Sequence, residues 1–315
     1  MSKEPIVVST DPLILLFEGF SDADEVSALL KLAKVADDRD DPSKPLYGED
    51  STDREKALVS DVESRIGLIV GCKPHEEESR LLILRKKRDP APCHGRATPP
   101  RGISGLHVDA NGDQLRRFAS ALLYLSSPTG GGQTVFPLAV PASASTAGGS
   151  AVSSAPIDRR KALEASHALL KRKVYHTANS SSAGARALGS LVASVPSACA
   201  PPVGASFVAS EHGVAIRPIA GNLLVFWTRD PHGISARSWH AGESVPYDSP
   251  CDKWLLRLFK EIPVATFEDF DARAKFIERS RADHVRSKLC CANGNAATES
   301  TLNQEPSPRA KRRRR

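Results

Sequence analysis

His107-Val108-Asp109, answered far downstream by Ser238-Trp239-His240-Ala241-Gly242, decides how this chain is read. Two imidazoles and one carboxylate are the donors of a non-haem iron(II) site, because they fill one face of an octahedron and leave the other positions open. In an extended segment side chains alternate faces, so His107 and Asp109 point the same way while Val108 points into the packing. A third ligand must come from another strand, and His240 is the candidate.

Working outward, the run Arg117–Leu125 is apolar enough for a buried strand. The glycines at 130–132 mark a turn, and Thr134-Val135-Phe136 opens another strand. Gly221–Trp227 and Lys253–Phe259 are two further apolar runs of strand length. Near the amino end, Asp11–Phe20 predicts a strand, and Asp22–Val35 predicts an amphipathic packing helix with Val26, Leu29, Leu30 and Ala33 on one stripe. Ser21 with Asp24 reads as its cap.

In this order the pieces resemble the catalytic domain of the prolyl 4-hydroxylase family, among the Fe(II)- and 2-oxoglutarate-dependent dioxygenases. The matching motifs are H-x-D at 107–109, the strand from Arg117, Gly131-Gly132-Gln133-Thr134-Val135-Phe136-Pro137, the Gly221 strand, Ser238-Trp239-His240-Ala241-Gly242 and Lys253-Trp254. The resemblance covers residues 11–262. It implies an α+β fold with a mainly β core, a double-stranded β-helix (jelly-roll, cupin-like) with N-terminal packing helices. It also implies that His107, Asp109 and His240 hold Fe(II) and that Lys253 meets the distal carboxylate of the cosubstrate 2-oxoglutarate. A dicarboxylate buried in an apolar barrel needs such a charge partner. The implied reaction uses O2, hydroxylates a substrate, most readily a prolyl residue of a protein or peptide, and converts 2-oxoglutarate to succinate and CO2, with L-ascorbate keeping the iron ferrous.

The chain departs from that pattern in three places. The family lysine usually follows the distal histidine by ten residues, where this chain has Pro250, so Lys253 fits only with a lengthened turn at 247–252. Arg257, four residues along the same strand face, is the rival for the carboxylate. Lys86 stands where the family commonly carries a tyrosine that helps hold the cosubstrate. The stretch from about 141 to 210 is an insertion with low-complexity linkers around a basic helix predicted over Asp158–Val174 through Leu163, Leu169 and Leu170. It reads as disordered. Residues 1–10 then form an N-terminal tail, and residues 263–315 a C-terminal helix and a disordered basic tail.

Composition sets the outer bounds. Forty per cent of the 315 residues are apolar, enough for one core. The six positive charges of Arg309, Lys311 and Arg312–Arg315 equal the whole formal charge of +6, so residues 1–308 sum to zero. A neutral body disfavours a nucleic-acid-binding surface, while the tail is compatible with import machinery or RNA. Six cysteines without a C-x-x-C pair, no secretory pattern and no apolar run of membrane length predict an intracellular protein, cytoplasmic or nuclear, with no membrane partner. Trp227, Trp239 and Trp254 read as packing, and His176, with His75, His94, His167 and His284, as a surface residue. The rival readings are an oxygenase fold that has lost catalysis and serves as a scaffold, or an oxygenase acting on a lysyl, nucleic-acid or small-molecule substrate.

Overall fold

The computed structural model describes residues 4–37, 46, 51–91, 103–142, 159–177, 182–194, 205–210 and 213–294. Cys93-His94, most of the low-complexity sequence and the basic tail lie outside them. The chain opens with a hairpin of β1 (Ile6–Asp11) and β2 (Leu13–Phe17). The expected tail at 1–10 is thus corrected: β-branched Val7 and Val8 suit a strand, and Val8 is buried. Helix α1 (Ala23–Asp37) buries Val26, Leu29 and Ala33 as its stripe predicts. Its cap is Asp22, whose carboxylate accepts the Glu25 N–H at 2.8 Å, in place of the expected Ser21 and Asp24. Helix α2 (Asp53–Ile69) begins at a Thr52/Glu55 capping box.

The remaining elements are β3 (Leu82–Lys86), β4 (Ile103–His107), β5 (Arg117–Tyr124), β6 (Thr134–Phe136), β7 (Val140–Pro141), α3 (Arg159–Lys171), α4 (Ala183–Ser194), β8 (Phe207–Ser210), β9 (Gly213–Ile216), β10 (Leu223–Trp227), β11 (Arg229–Asp230), β12 (Gly233–Ile234), β13 (His240–Glu243), β14 (Lys253–Glu261), α5 (Val264–Glu268) and α6 (Phe270–Gly294). A seven-stranded sheet runs β3-β14-β5-β10-β2-β1-β7, and a five-stranded sheet runs β4-β13-β6-β9-β8. The pairings within both are antiparallel. Strands β11 and β12 form a separate short ribbon.

The period of two in each strand sorts the side chains into layers. On the large sheet, Leu15, Ala119, Ala121, Leu123, Leu223, Val225, Trp227, Leu256 and Leu258 face α1, α2 and α6 in one cluster. Their alternates, Ile14, Leu16, Tyr124, Leu224, Phe226 and Leu255, face the small sheet and meet Phe136, Val214 and Ile216 in another. The three tryptophans are packing residues as expected, buried to 0%, 0% and 7% exposure for Trp227, Trp239 and Trp254.

The insertion is where expectation and structure part. The outer face of the small sheet carries Leu106, Val108, Val135, Trp239 and Ala241, and α3 and α4 cover it with Ala162, Leu169 and Leu188. Trp239 donates its indole N–H to Ser166 Oγ of α3 at 2.8 Å, and that hydroxyl donates to the Ala236 carbonyl at 2.6 Å. The predicted basic helix exists, but as a packed lid and not as disorder: the sheet's outer apolar face needs a cover, and these helices supply the apolar stripe.

Candidate metal centre

Strands β4 and β13 are neighbours, and their register sets His107 directly opposite His240. The two rings lie 4.4 Å apart. Asp109, just past β4 and on the same face as His107, completes a cluster whose ligand atoms all lie within 4.8 Å of one another. His107 Nε2 is 3.3 Å from Asp109 Oδ1, and His240 Nε2 is 3.5 Å from Asp109 Oδ2. Val108, between them, is fully buried under the lid helices.

The hydrogen bonds outside the cluster fix what each donor can do. His107 Nδ1 faces the Gly105 carbonyl at 2.7 Å and His240 Nδ1 faces the Ser238 carbonyl at 3.0 Å. A carbonyl only accepts, so both Nδ1 atoms carry a proton and both Nε2 atoms face the cluster, the ring orientation of a metal ligand. Ser120 Oγ of β5 donates to Asp109 Oδ2 at 2.6 Å and orients the carboxylate. Phe136 stacks on the His240 ring at 5.5 Å and Phe226 meets it edge-on at 4.7 Å.

Electrostatics favour an ionised Asp109 and a neutral His240, and they favour the protonated form of His107. Burial pushes His240 down to about 4, with the charge of His107 adding to the effect. For His107 burial acts the same way, but the hydrogen bond and charge of Asp109 outweigh it and the pKa rises. Asp109 is fully buried, which alone would raise its pKa; the charge of His240 and the hydrogen bond of His107 reverse this and hold the carboxyl well below the usual range. The donor set therefore fits a divalent metal.

The cluster opens into a pocket of about 480 Å³ between the sheets. Lys253, Leu255, Arg257 and Phe259 of β14 line it at alternate positions, with Leu84 and Lys86 of β3, Leu122 of β5, Thr134 of β6 and Gly242 of β13. Lys253 is buried on the floor and donates to Thr134 Oγ1 at 3.3 Å, while the Tyr124 hydroxyl meets the same Thr134 oxygen at 2.9 Å. Burial, aided by the charge of Lys86, pushes the Lys253 ammonium down to about 7. Lys86 pairs with Lys253 across the strands and donates to the Gly242 carbonyl at 2.9 Å.

His176 was not legible as a site residue and is corrected from its expected surface position. Its segment adds a bridge to β4 at His107, its ring stacks on His107 at 5.7 Å, and it lines the pocket. Gly105 permits this approach: it has φ +65°, and a Cβ there would lie 3.0 Å from His176 Nε2. Only the folded insertion brings His176 here, so nothing local to it in the sequence could have announced it.

A second cluster, Cys72, His75 and Glu78, also has metal-like spacing. Its donors are committed elsewhere: the Lys260 ammonium sits 2.6 Å from Glu78 Oε1, where a cation would stand, and His75 Nε2 bonds the Glu261 carbonyl at 3.0 Å. Among the described residues no helix is long and apolar enough to cross a membrane.

No known protein family matches the chain, and neither does any curated protein. Among solved structures it is similar to a viral collagen prolyl hydroxylase from Paramecium bursaria Chlorella virus-1, at 14% identity and TM-score 0.38 over 79% of this chain and 90% of that one. It is also similar to a prolyl-4-hydroxylase of Pseudomonas putida, at 15% identity and TM-score 0.36 over 80% of this chain and 90% of that one. At these levels the likeness carries no function across.

Proposed function

We propose that this chain is an Fe(II)- and 2-oxoglutarate-dependent oxygenase of the prolyl 4-hydroxylase type, its two sheets forming a double-stranded β-helix around the pocket. The observation that carries the reading is the His107–Asp109–His240 cluster, with both histidine Nδ1 atoms held by backbone carbonyls, opening onto a pocket lined by a buried lysine. His107, Asp109 and His240 would hold the iron. Bound there with 2-oxoglutarate and O2, it would supply the oxidising chemistry, releasing succinate and CO2 and hydroxylating the substrate.

The chain's own residues account for the rest. Lys253 makes no ion pair among the described residues, and a buried ammonium without a counter-ion is costly, so it suits the distal carboxylate of the cosubstrate. Thr134, between Lys253 and Tyr124, steers the ammonium. Leu122, Leu255 and Phe259 keep the walls apolar and exclude water. Ser120 and the two backbone carbonyls hold the ligands at fixed orientation. A prolyl residue of a protein or peptide is the substrate that the motif resemblance favours, with ascorbate as reductant.

The test is anaerobic calorimetry of 2-oxoglutarate with and without Fe(II), followed by succinate measurement in air. Fe(II)-dependent binding and succinate release are expected. A protein that binds 2-oxoglutarate neither with the metal nor without it is no oxygenase, and the scaffold reading takes its place.

A further inference from the structure

The charges around the pocket find partners, with one exception. Arg85 turns away to Asp37 and Asp252, at 2.7 and 2.8 Å. Buried Glu243 acts on the Lys86 charge. On the oxygenase reading, the distal carboxylate of 2-oxoglutarate matches Lys253, and the two charges of Fe(II) are matched by Asp109 and the keto-acid carboxylate. Arg257 is left over.

Its surroundings show the same imbalance. Arg257 lines the pocket, yet makes no hydrogen bond or ion pair among the described residues, and its Nε is buried without a partner. What it has is the Phe259 ring, 5.2 Å from its Cζ, and the charges of Asp109 and His107, with which it interacts at longer range. It therefore stands at the metal end of the pocket. Lys253 is four residues back on the same strand face, about 13 Å away at the usual strand rise, with Leu255 between them. Packing of the guanidinium on Phe259 explains how the side chain is carried, but not why its Nε is buried without a partner beside an open pocket.

We infer that Arg257 anchors a carboxylate of the substrate, so that this oxygenase takes an anionic substrate: an acidic residue beside the target position, or a free amino or imino acid. The inference rests on the iron and 2-oxoglutarate reading. A planar guanidinium fork matches a carboxylate through two parallel hydrogen bonds, and here it would do so beside the metal, where the position of the target bond is set. The neutral prolyl ring alone would leave that fork unmatched.

Pairs of ligands differing only in charge test this: L-proline with L-prolinamide, Ac-Pro-Glu-NH2 with Ac-Pro-Gln-NH2, and Ac-Glu-Pro-NH2 with Ac-Gln-Pro-NH2. Each is titrated calorimetrically into anaerobic protein already loaded with Fe(II) and 2-oxoglutarate. At least one acidic member is expected to bind about tenfold or more tightly than its neutral twin, the scale of one charge-assisted hydrogen bond. That preference should vanish in Arg257→Gln and survive in part in Arg257→Lys, with 2-oxoglutarate affinity in both variants within about threefold of wild type. No acidic preference in any pair, or a preference that persists in Arg257→Gln, overturns the inference. A fall in 2-oxoglutarate affinity that matches the loss of ligand binding also overturns it and makes Arg257 a cosubstrate clamp. If the wild type fails to take up 2-oxoglutarate in the loading step, the oxygenase reading itself has failed, and this is seen before any pair is added.

Discussion

Replacing Lys253 with methionine should separate stability from binding. Burial, with help from the Lys86 charge, drives this ammonium from 10.5 down to about 7, against the opposing pull of Glu243. Each unit corresponds to about 1.4 kcal/mol, so holding the proton at neutral pH costs the empty protein about 3–5 kcal/mol on that scale. The unfolded chain keeps the proton up to about 10.5 and the folded chain only to about 7. Between those values the unfolded state binds more protons, and this group's contribution makes wild-type stability climb with pH. Lys253→Met keeps most of the aliphatic stem and removes the penalty. At pH 7 the variant should be about 3 kcal/mol more stable, or about 6–12 °C higher in Tm for a domain of this size. The advantage should shrink as pH rises towards 10. Calorimetry on the same variant should show 2-oxoglutarate binding weakened about 10- to 100-fold, as expected for loss of a charge-assisted hydrogen bond. Thermal unfolding of both proteins from pH 7 to 10 reads the stability difference. A variant less stable than wild type at pH 7, or an advantage that grows with pH, refutes the reasoning.

Two further substitutions probe the support around the site. Ser120→Ala removes the 2.6 Å hydrogen bond to Asp109 Oδ2 and should weaken metal affinity about 10- to 100-fold with the fold intact; equilibrium dialysis with an unchanged affinity would show that the hydroxyl does not orient the carboxylate. Ser166→Ala leaves the Trp239 indole N–H and the Ala236 carbonyl unpaired in a buried position. Urea unfolding should show a loss of about 1–3 kcal/mol, and a loss near zero would mean that α3 does not seal the small sheet.

Two of the three clustered donors, His107 and Asp109, were legible because they are local. H-x-D sets two donors on one strand face by alternation, and the ordered motifs around it, Gly131–Pro137 and Ser238–Gly242 among them, give that short signal its weight. The partner histidine could be chosen because Ser238–Gly242 matches the distal motif of the resembling family, and the structure sets His240 directly opposite His107. The choice between Lys253 and Arg257 was not legible: both line the pocket, Lys253 beside Thr134. The lid helices were misread because their sequences are polar and alanine-rich, and their apolar stripe gains meaning only against the outer face of the small sheet. Leu106, Val108 and Trp239 held that information, since apolar residues alternating with site residues must be covered by something. His176 followed the same logic one step further, through a bridge between segments far apart in the chain. Strand β1 was missed because its register with β2 is broken by an irregularity between Val7 and Ser9, and the polar run beyond it hides the alternation.

The central claim is that His107, Asp109 and His240 form one iron centre, and anaerobic equilibrium dialysis with Fe(II) tests it most directly. Wild-type protein should take up one equivalent of Fe(II) per chain, and Asp109→Ala and His240→Ala, each checked for retained folding, should take up none at the same free metal concentration. A wild type that takes up no iron, or folded variants that bind it as wild type does, would contradict the account.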